Sequence, residues 1–269
     1  MARLGTAAAA ALALVAGGVG LWLGQTSSLP PAASPTPSAT AAPATPSATP
    51  TAALPLAGVT IALDPGHNAG NADAPAVVNA LVPDGRGGFK ACNTVGTATV
   101  DGYPEHAFTW DVADRSRALL EELGATVLLT RGPDGVGPCV DVRGQFAPAA
   151  TALVSIHGDG SESAAAAGYF AIVVATPLTE AQGEPSRALA AELLAGLAAE
   201  GFTPSTWVPG AVQYRDDLAT LNFAQRPAVL LELAEFRNPA EGAAVQDPAV
   251  RQRYAQAIVR GIVARYGQG

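Results

Sequence analysis

The amino-acid sequence predicts a single α/β domain with a central mixed, mostly parallel sheet flanked by helices. Short apolar runs rich in β-branched residues end at turn residues, and they alternate with longer segments whose apolar residues recur every three or four positions. Such alternation is typical of a sheet covered by helices. We predict strands at 59–63, 125–129, 152–156, 168–175, 210–214 and 227–233, and helices at 104–123, 142–149, 184–200 and 248–266.

Two N-terminal segments differ from this domain. Residues 1–24 combine a basic start at Arg3 with an apolar run, as in a secretory signal peptide, although an uncleaved membrane anchor is the alternative for a run of this length. Residues 25–53 are nearly all Ala, Pro, Ser and Thr, which predicts a disordered linker. We therefore expect a secreted, extracytoplasmic protein whose folded domain is 54–269.

The charge of this domain restricts its partners. Every charged residue except Arg3 lies after residue 53, where 14 basic and 23 acidic residues give a net charge of −9. An acidic domain argues against nucleic acid or an anionic membrane surface as the partner. The only membrane contact that we expect is an uncleaved N-terminal anchor, and we expect a monomer.

The two cysteines, Cys92 and Cys139, predict a disulfide because their number is even and the domain is predicted to be exported. Two free buried thiols are the alternative, and no Cys-x-x-Cys pair indicates a metal role. Cys92 lies in the Gly-, Asn- and Asp-rich stretch 68–102, which a disulfide would restrain. Long segments of this kind are often functional, so we expect this one to line a groove and to contain a hairpin of its own.

Two of the three histidines follow predicted strands: His67 comes after 59–63 and His157 after 152–156. Two imidazoles at the carboxyl ends of strands can meet in one crevice, and imidazole is a common zinc ligand. Taken singly, each is better explained as a polar residue at a turn. The pair predicts a metal site.

A third ligand would be a carboxylate or another imidazole, since catalytic zinc usually has three protein ligands. Glu105 is the candidate because Pro104 precedes it at a predicted helix start, from which its carboxylate can point to the end of the sheet. His106 competes with it. Neighbours on a helix point about 100° apart, so we assign His106 to the surface or to a supporting position.

A fourth candidate, Glu232, ends an otherwise apolar strand, and a carboxylate in such a place needs a partner or a task. Beside a metal ion it would take a proton from water and pass it to a leaving amine. Glu235 is its rival. We expect Glu235 to lie beyond the strand and to be solvated.

Four segments together are similar to a known family. They are Leu63-Asp64-Pro65-Gly66-His67, the stretch 105–131, Ser155-Ile156-His157, and 227–238. In their order and spacing, over nearly all of 57–269, the chain resembles the zinc-dependent amidase 3 family of N-acetylmuramoyl-L-alanine amidases. Segments 102–110 and 137–141 resemble actinobacterial, mycobacterial-type members, which carry a paired disulfide.

The resemblance implies a catalytic domain at 54–269, one zinc ion held by His67, Glu105 and His157, and Glu232 as the catalytic carboxylate. The implied reaction is hydrolysis of the amide between N-acetylmuramic acid and L-alanine in peptidoglycan, which serves cell-wall remodelling and cell separation. Peptidoglycan is then the partner.

The loop after Glu232 departs from the family, because Ala234 stands where Gly is usual and Glu235 where Asn or an apolar residue is usual. Two other functions fit the same residues less closely. One is a zinc deacetylase or carboxypeptidase that acts on the same polymer. The other is a non-catalytic wall-binding regulator on an amidase fold, which would commonly lack a ligand or the acidic base.

Overall fold

A six-stranded sheet forms the centre of the protein in a computed structural model, which describes residues 53–268. The predicted signal or anchor at 1–24 and the predicted linker at 25–53, apart from Ala53, lie outside the described residues. The strands are β1 (Thr60–Pro65), β2 (Leu81–Pro83), β3 (Phe89–Ala91), β4 (Thr126–Leu129), β5 (Ala152–Asp159), β6 (Phe170–Val174), β7 (Val212–Arg215) and β8 (Ala228–Glu235).

The main sheet has the strand order β4-β1-β5-β8-β6-β7. Strands β4, β1, β5 and β8 are parallel, β6 is antiparallel to β8, and β7 is parallel to β6. The predicted mixed, mostly parallel sheet is thus confirmed. Because β1, β5 and β8 are adjacent and parallel, their carboxyl ends meet at one edge, where ligands of such sheets bind.

Strands β5 and β8 are longer than predicted. The apolar run of β5 ends at Ile156, but its backbone pairing with β8 continues through His157 and Glu232 to Asp159 and Glu235. Polar site residues therefore lie within these strands. The prediction that His157 follows its strand is wrong for this reason.

The helices are α1 (Pro75–Val78), α2 (Glu105–Glu122), α3 (Val140–Gln145), α4 (Glu184–Ala199), α5 (Ala219–Asn222), α6 (Pro239–Ala244) and α7 (Pro248–Tyr266), with single 3₁₀ turns at Glu180–Gln182 and Pro209–Ala211. Among the long helices, α7 packs against both α2 and α4, and all three lie within a residue of their predicted bounds. Helix α3 ends before the predicted residue 149 because Ala147 has a positive φ of 48°, which a helix does not tolerate. Among residues 53–268, no helix combines the length and the apolar character needed to cross a bilayer.

The long segment 68–102 contains the expected antiparallel hairpin, formed by β2 and β3, and also the short helix α1, which was not predicted. Cys92 follows the hairpin directly and is bonded to Cys139, one residue before α3. The predicted disulfide is therefore confirmed. The bond attaches the end of the hairpin to the start of helix α3.

Replacing both cysteines with serine is expected to lower the free energy of unfolding by about 4 kcal/mol, because the bond closes a long loop in the unfolded chain. Urea titrations of the variant and of the oxidised and reduced wild-type protein measure this difference. The reduced wild-type protein serves as the matched control and should behave like the variant. Equal urea midpoints for the oxidised protein and the variant would contradict the expected role.

Candidate metal centre

His67, Glu105 and His157 meet at the carboxyl edge of the sheet. His67 Nε2 lies 3.0 Å from Glu105 Oε2, and His157 Nδ1 lies 3.0 Å from Glu105 Oε1. One ligand atom from each residue lies within 4.8 Å of the others, so the three residues can hold a metal ion. The two imidazole rings are edge to face, with centroids 4.9 Å apart.

Glu105 is the first residue of α2 and is 3% exposed. Its carboxylate accepts two backbone hydrogen bonds, one on each oxygen: Thr97 N donates to Oε2 at 2.9 Å and Gly158 N donates to Oε1 at 3.1 Å. These contacts, together with the helix N-terminus, stabilise the ionised carboxylate. The remaining lone pairs face the two imidazoles.

The hydrogen bonds of His67 suit a metal ligand. Its Nδ1 lies 3.1 Å from the carbonyl of Thr94, which can only accept, so Nδ1 carries the proton and Nε2 keeps its lone pair. That lone pair faces Glu105 Oε2 at a distance of 3.0 Å. Because both atoms are acceptors, a cation between them is needed to make the contact favourable. Burial, the largest single effect, lowers the pKa of His67, but Glu105 and the carbonyl of Thr94 together raise it above its ordinary value. The donor set fits a divalent ion.

His67 has a left-handed backbone with φ of 58°, which costs a residue with a side chain roughly 1–2 kcal/mol. Two buried arginines hold the loop that forces this conformation. Arg143 donates to the carbonyls of Pro65 at 2.8 Å and His67 at 2.8 Å. Arg131 donates to the carbonyls of Pro65 at 2.9 Å and Gly66 at 3.1 Å.

Arg143 is itself held by Asp64 in β1, with its NH1 group 2.7 Å from Asp64 Oδ1 and both side chains 2% exposed. The hydroxyls of Thr130 and Ser155 donate to the same carboxylate, each at 2.6 Å. Burial alone would raise the pKa of Asp64, but Arg143 and these hydroxyls lower it below its ordinary value. Asp64 is thus a buried anion that positions Arg143.

Gly66 allows the loop to pass close to His157. A Cβ at this position would lie 2.3 Å from His157 Cε1, which is far inside van der Waals contact. Any side chain at residue 66 would therefore displace the second imidazole.

Glu232 lies next to His157 in the register of β8 with β5, so both side chains are on one face. Its Oε2 atom is buried and has no hydrogen-bond partner in the described part of the chain. Burial, followed by the carboxylates of Glu105 and Asp159, raises the pKa of Glu232 well above its ordinary value. A cavity of about 420 Å³ is lined by Glu232 and the three candidate ligands.

The expectation for Glu235 is wrong. Glu235 is the last residue of β8 and is 1% exposed, because β8 extends two residues beyond the apolar run on which the prediction rested. Its Oε1 accepts a hydrogen bond from Ser161 N at 2.8 Å. Burial and Asp159 raise the pKa of Glu235 to about 7.

The side chain of His106 is not part of the group of three, although its carbonyl accepts a hydrogen bond from Arg131. Sequence reasoning missed the Asp64–Arg143 pair. A signal was available, since Asp64 interrupts an apolar strand in the same way as Glu232 does. Arg143 gave no signal, because its partner is 79 residues away.

An imidazole, carboxylate and imidazole group beside a buried carboxylate, at the strand ends of an α/β sheet, is the kind of site that metal-dependent hydrolases use. The profile of the amidase 3 family, N-acetylmuramoyl-L-alanine amidase, matches residues 61–264. The chain belongs to this family and is a hydrolase.

Three mycobacterial proteins show how similar its relatives are. An N-acetylmuramoyl-L-alanine amidase of Mycobacterium tuberculosis is 42% identical over 208 residues, which cover 76% of this chain and 85% of that protein. The crystal structure of the amidase Ami1 from Mycobacterium smegmatis has 44% identity and a TM-score of 0.76, covering 79% of this chain and 98% of that one. Ami1 from Mycobacterium abscessus has 43% identity and a TM-score of 0.74, covering 78% and 99%. The expected family and its mycobacterial type are confirmed.

The Asp64→Asn variant is expected to lose about 3–5 kcal/mol of stability at neutral pH, since Arg143 would be buried without its counter-charge. The folded-state pKa of Asp64 lies below the ordinary value of 3.8, so its ion pair stabilises fully above that pH and is lost as the pH falls through the folded pKa. Below about pH 4 the wild-type protein should therefore lose stability more steeply than the variant. Urea titrations at several pH values measure both effects.

The exposed ion pair between Arg117 and Asp114 provides the control. Arg117→Ala should change the free energy of unfolding by less than about 1 kcal/mol. Parallel acid profiles for wild type and Asp64→Asn would contradict the assigned role of Asp64.

Proposed function

We propose that this chain is a zinc-dependent amidase that hydrolyses the bond between the lactyl group of N-acetylmuramic acid and the L-alanine of the stem peptide. It acts outside the cytoplasm, in cell-wall remodelling and cell separation. The observation that carries the proposal is the convergence of His67, Glu105 and His157 beside Glu232. The amidase names of its relatives support the substrate.

His67 Nε2, His157 Nδ1 and the carboxylate of Glu105 would hold the zinc ion. Two imidazoles and one carboxylate favour zinc over magnesium or calcium, which prefer oxygen ligands. When bound, the ion polarises the scissile carbonyl and makes water more acidic at neutral pH. The backbone N–H groups of Thr97 and Gly158 keep Glu105 oriented, and the carbonyl of Thr94 keeps His67 in the required tautomer.

Glu232 performs the proton transfers. It takes a proton from the water that attacks the amide carbon, and it delivers that proton to the nitrogen as the carbon–nitrogen bond breaks. The products are a free lactyl carboxylate and the α-ammonium group of L-alanine, which together account for both protons of the water. Its unpartnered Oε2 and its raised pKa suit a group that must both accept and release a proton.

Metal analysis of the purified protein, with mass spectrometry of digested peptidoglycan, tests the function. We expect about one zinc ion per chain and free stem peptides as products. Release of acetate would instead establish a deacetylase, and release of D-alanine a carboxypeptidase. A zinc-loaded protein that binds peptidoglycan without cleaving it would establish the non-catalytic regulator.

The Glu232→Gln variant should keep its zinc and lose about 10²- to 10⁴-fold in kcat, because the amide cannot accept the proton of water. Zinc content and kcat on a soluble muramyl peptide are the measurements. Glu235→Gln is the matched control three residues away. Its amide oxygen can still accept from Ser161 N, so its kcat should stay within about threefold of wild type. A loss in Glu235→Gln with none in Glu232→Gln would transfer the role to Glu235.

The His67→Ala variant should lose zinc, since it removes one of three ligands. Zinc content after dialysis is the measurement, and circular dichroism shows whether the domain remains folded. His106→Ala is the matched control because its imidazole lies outside the group of three, and it should keep its zinc. Full zinc occupancy in folded His67→Ala protein would disprove the proposed site.

A further inference from the structure

Two cavities adjoin at the candidate metal centre. The first, which we call the Glu232 cavity, was described above. The second, which we call the Lys90 cavity, has a volume of about 180 Å³ and shares His67 and His157 with the first. A substrate bond cleaved at the imidazoles therefore has one cavity on each side.

The two cavities differ in charge. The Glu232 cavity contains the carboxylates of Glu105, Asp159 and Glu232, against the single cation Arg215. The Lys90 cavity is lined mainly by apolar groups, among them Val140, Leu218, Ala219 and Leu230. Its charged residues besides the shared histidines are Lys90 and the Asp64–Arg143 pair, whose charges neutralise each other.

Lys90 is the only lysine in the 269-residue chain. It lies in β3, opposite Val82 of β2, and is half-buried. Its Nζ donates to the backbone carbonyl of Asp217 at 2.5 Å, while the carboxylate of Asp217 is bound by Arg215 at 2.6 and 2.8 Å. No salt bridge in residues 53–268 includes Lys90.

The ammonium group of Lys90 therefore has N–H donors that are not used by the described residues. No carboxylate of the described residues forms a salt bridge with it. Burial lowers the pKa of Lys90, which shows that its surroundings stabilise the ammonium incompletely. An anionic group bound beside it would supply the missing stabilisation. A charge-assisted hydrogen bond of this kind is stronger than one between neutral groups.

We propose that Lys90 is a specificity-determining residue that binds a carboxylate of the stem peptide, and that the Lys90 cavity receives the peptide side of the scissile bond. This inference rests on the proposed amidase function. The sugar side of that bond carries no charge, because its lactyl carboxyl is bound in the amide, whereas the peptide beyond L-alanine carries free carboxylates. Lys90 offers such a carboxylate an unpaired cation, whereas the cation of the Glu232 cavity, Arg215, is already paired with Asp217.

Local recognition matters in this protein because its net charge is −9 after residue 53. An anionic peptide gains nothing from long-range attraction to such a surface. A single cation beside the scissile bond can still select it by contact. The apolar wall of the cavity suits the methyl group of L-alanine.

The test compares two muramyl peptides that differ only in the α-carboxyl group of the second residue, which is either a free carboxylate or a primary amide. Zinc-loaded wild-type protein should have a kcat/KM about tenfold or more higher for the carboxylate, the usual value of one hydrogen bond to a charged group. In Lys90→Met the two substrates should have about the same kcat/KM, mainly because KM for the carboxylate substrate rises. Lys90→Arg should restore part of the preference for the carboxylate.

Arg86→Ala is the matched control for a merely structural role of Lys90. Arg86 also ties the hairpin to segment 216–222, through hydrogen bonds to Asn222 at 3.0 Å and Asp216 at 2.8 Å, but it lines neither cavity. This variant should keep the preference for the carboxylate. If it loses the preference as Lys90→Met does, attachment of the hairpin explains the effect and the proposal is wrong.

A direct binding measurement uses the uniqueness of Lys90. An amine-reactive reagent can modify only this side chain and the N-terminal amine. The free dipeptide of L-alanine and D-glutamate should slow the labelling of Lys90, as measured by mass spectrometry, and its α-amide should not. The proposal is wrong if the dipeptide and its α-amide leave the labelling rate of Lys90 equal. It is also wrong if Lys90→Met keeps the kcat/KM preference for the carboxylate substrate. Wild-type protein that cleaves neither substrate would overturn the amidase function itself, and this inference with it.

Discussion

The candidate site depends on the buried ion pair between Asp64 and Arg143. A single charge in the middle of the sheet would be costly, so each residue requires the other. Arg143 uses its remaining N–H groups for the carbonyls of Pro65 and His67, in the loop that follows Asp64. The pair therefore neutralises two buried charges and also fixes the left-handed backbone from which the imidazole of His67 projects. Removing it would disturb the core and the metal centre together.

Residues 90–97 connect this centre to the hairpin. Thr94 orients His67 through its carbonyl, Thr97 holds Glu105 through its N–H, and Lys90 lines the second cavity. The segment has no helix or strand after β3, but its backbone bonds to neighbouring segments: Cys92 N donates to Ala80 O at 2.8 Å, and Cys92 O accepts from Val140 N at 2.8 Å. The disulfide between Cys92 and Cys139 adds a covalent restraint at the same residue. These restraints explain how a stretch rich in turn residues can position the candidate metal ligands His67 and Glu105.

The sequence predicted the helices and strands that have a regular pattern of apolar residues. It missed features that depend on contacts between residues far apart in the chain. Apolar periodicity located α7 to the residue. The same criterion ended β5 and β8 too early, because His157 and Glu235 break the apolar pattern while the backbone ladder continues. The convergence of His67 and His157 was predictable because histidine is rare in this chain and both residues come at the end of apolar runs. The partners of Asp64 were not, since no local pattern indicates which distant arginine will reach a buried carboxylate.

The charges of the two cavities are consistent with one direction of substrate binding. Proton transfer requires a carboxylate whose pKa is raised, and burial near Glu105 and Asp159 gives Glu232 this property. The one cation among the side chains of the Glu232 cavity besides the histidines, Arg215, is paired with Asp217 and is therefore not free to bind an anionic peptide. The Lys90 cavity has the opposite character, because its own acid is neutralised by Arg143. In the proposed mechanism Glu232 therefore serves proton transfer on one side of the candidate metal centre, and Lys90 would bind the charged half of the substrate on the other.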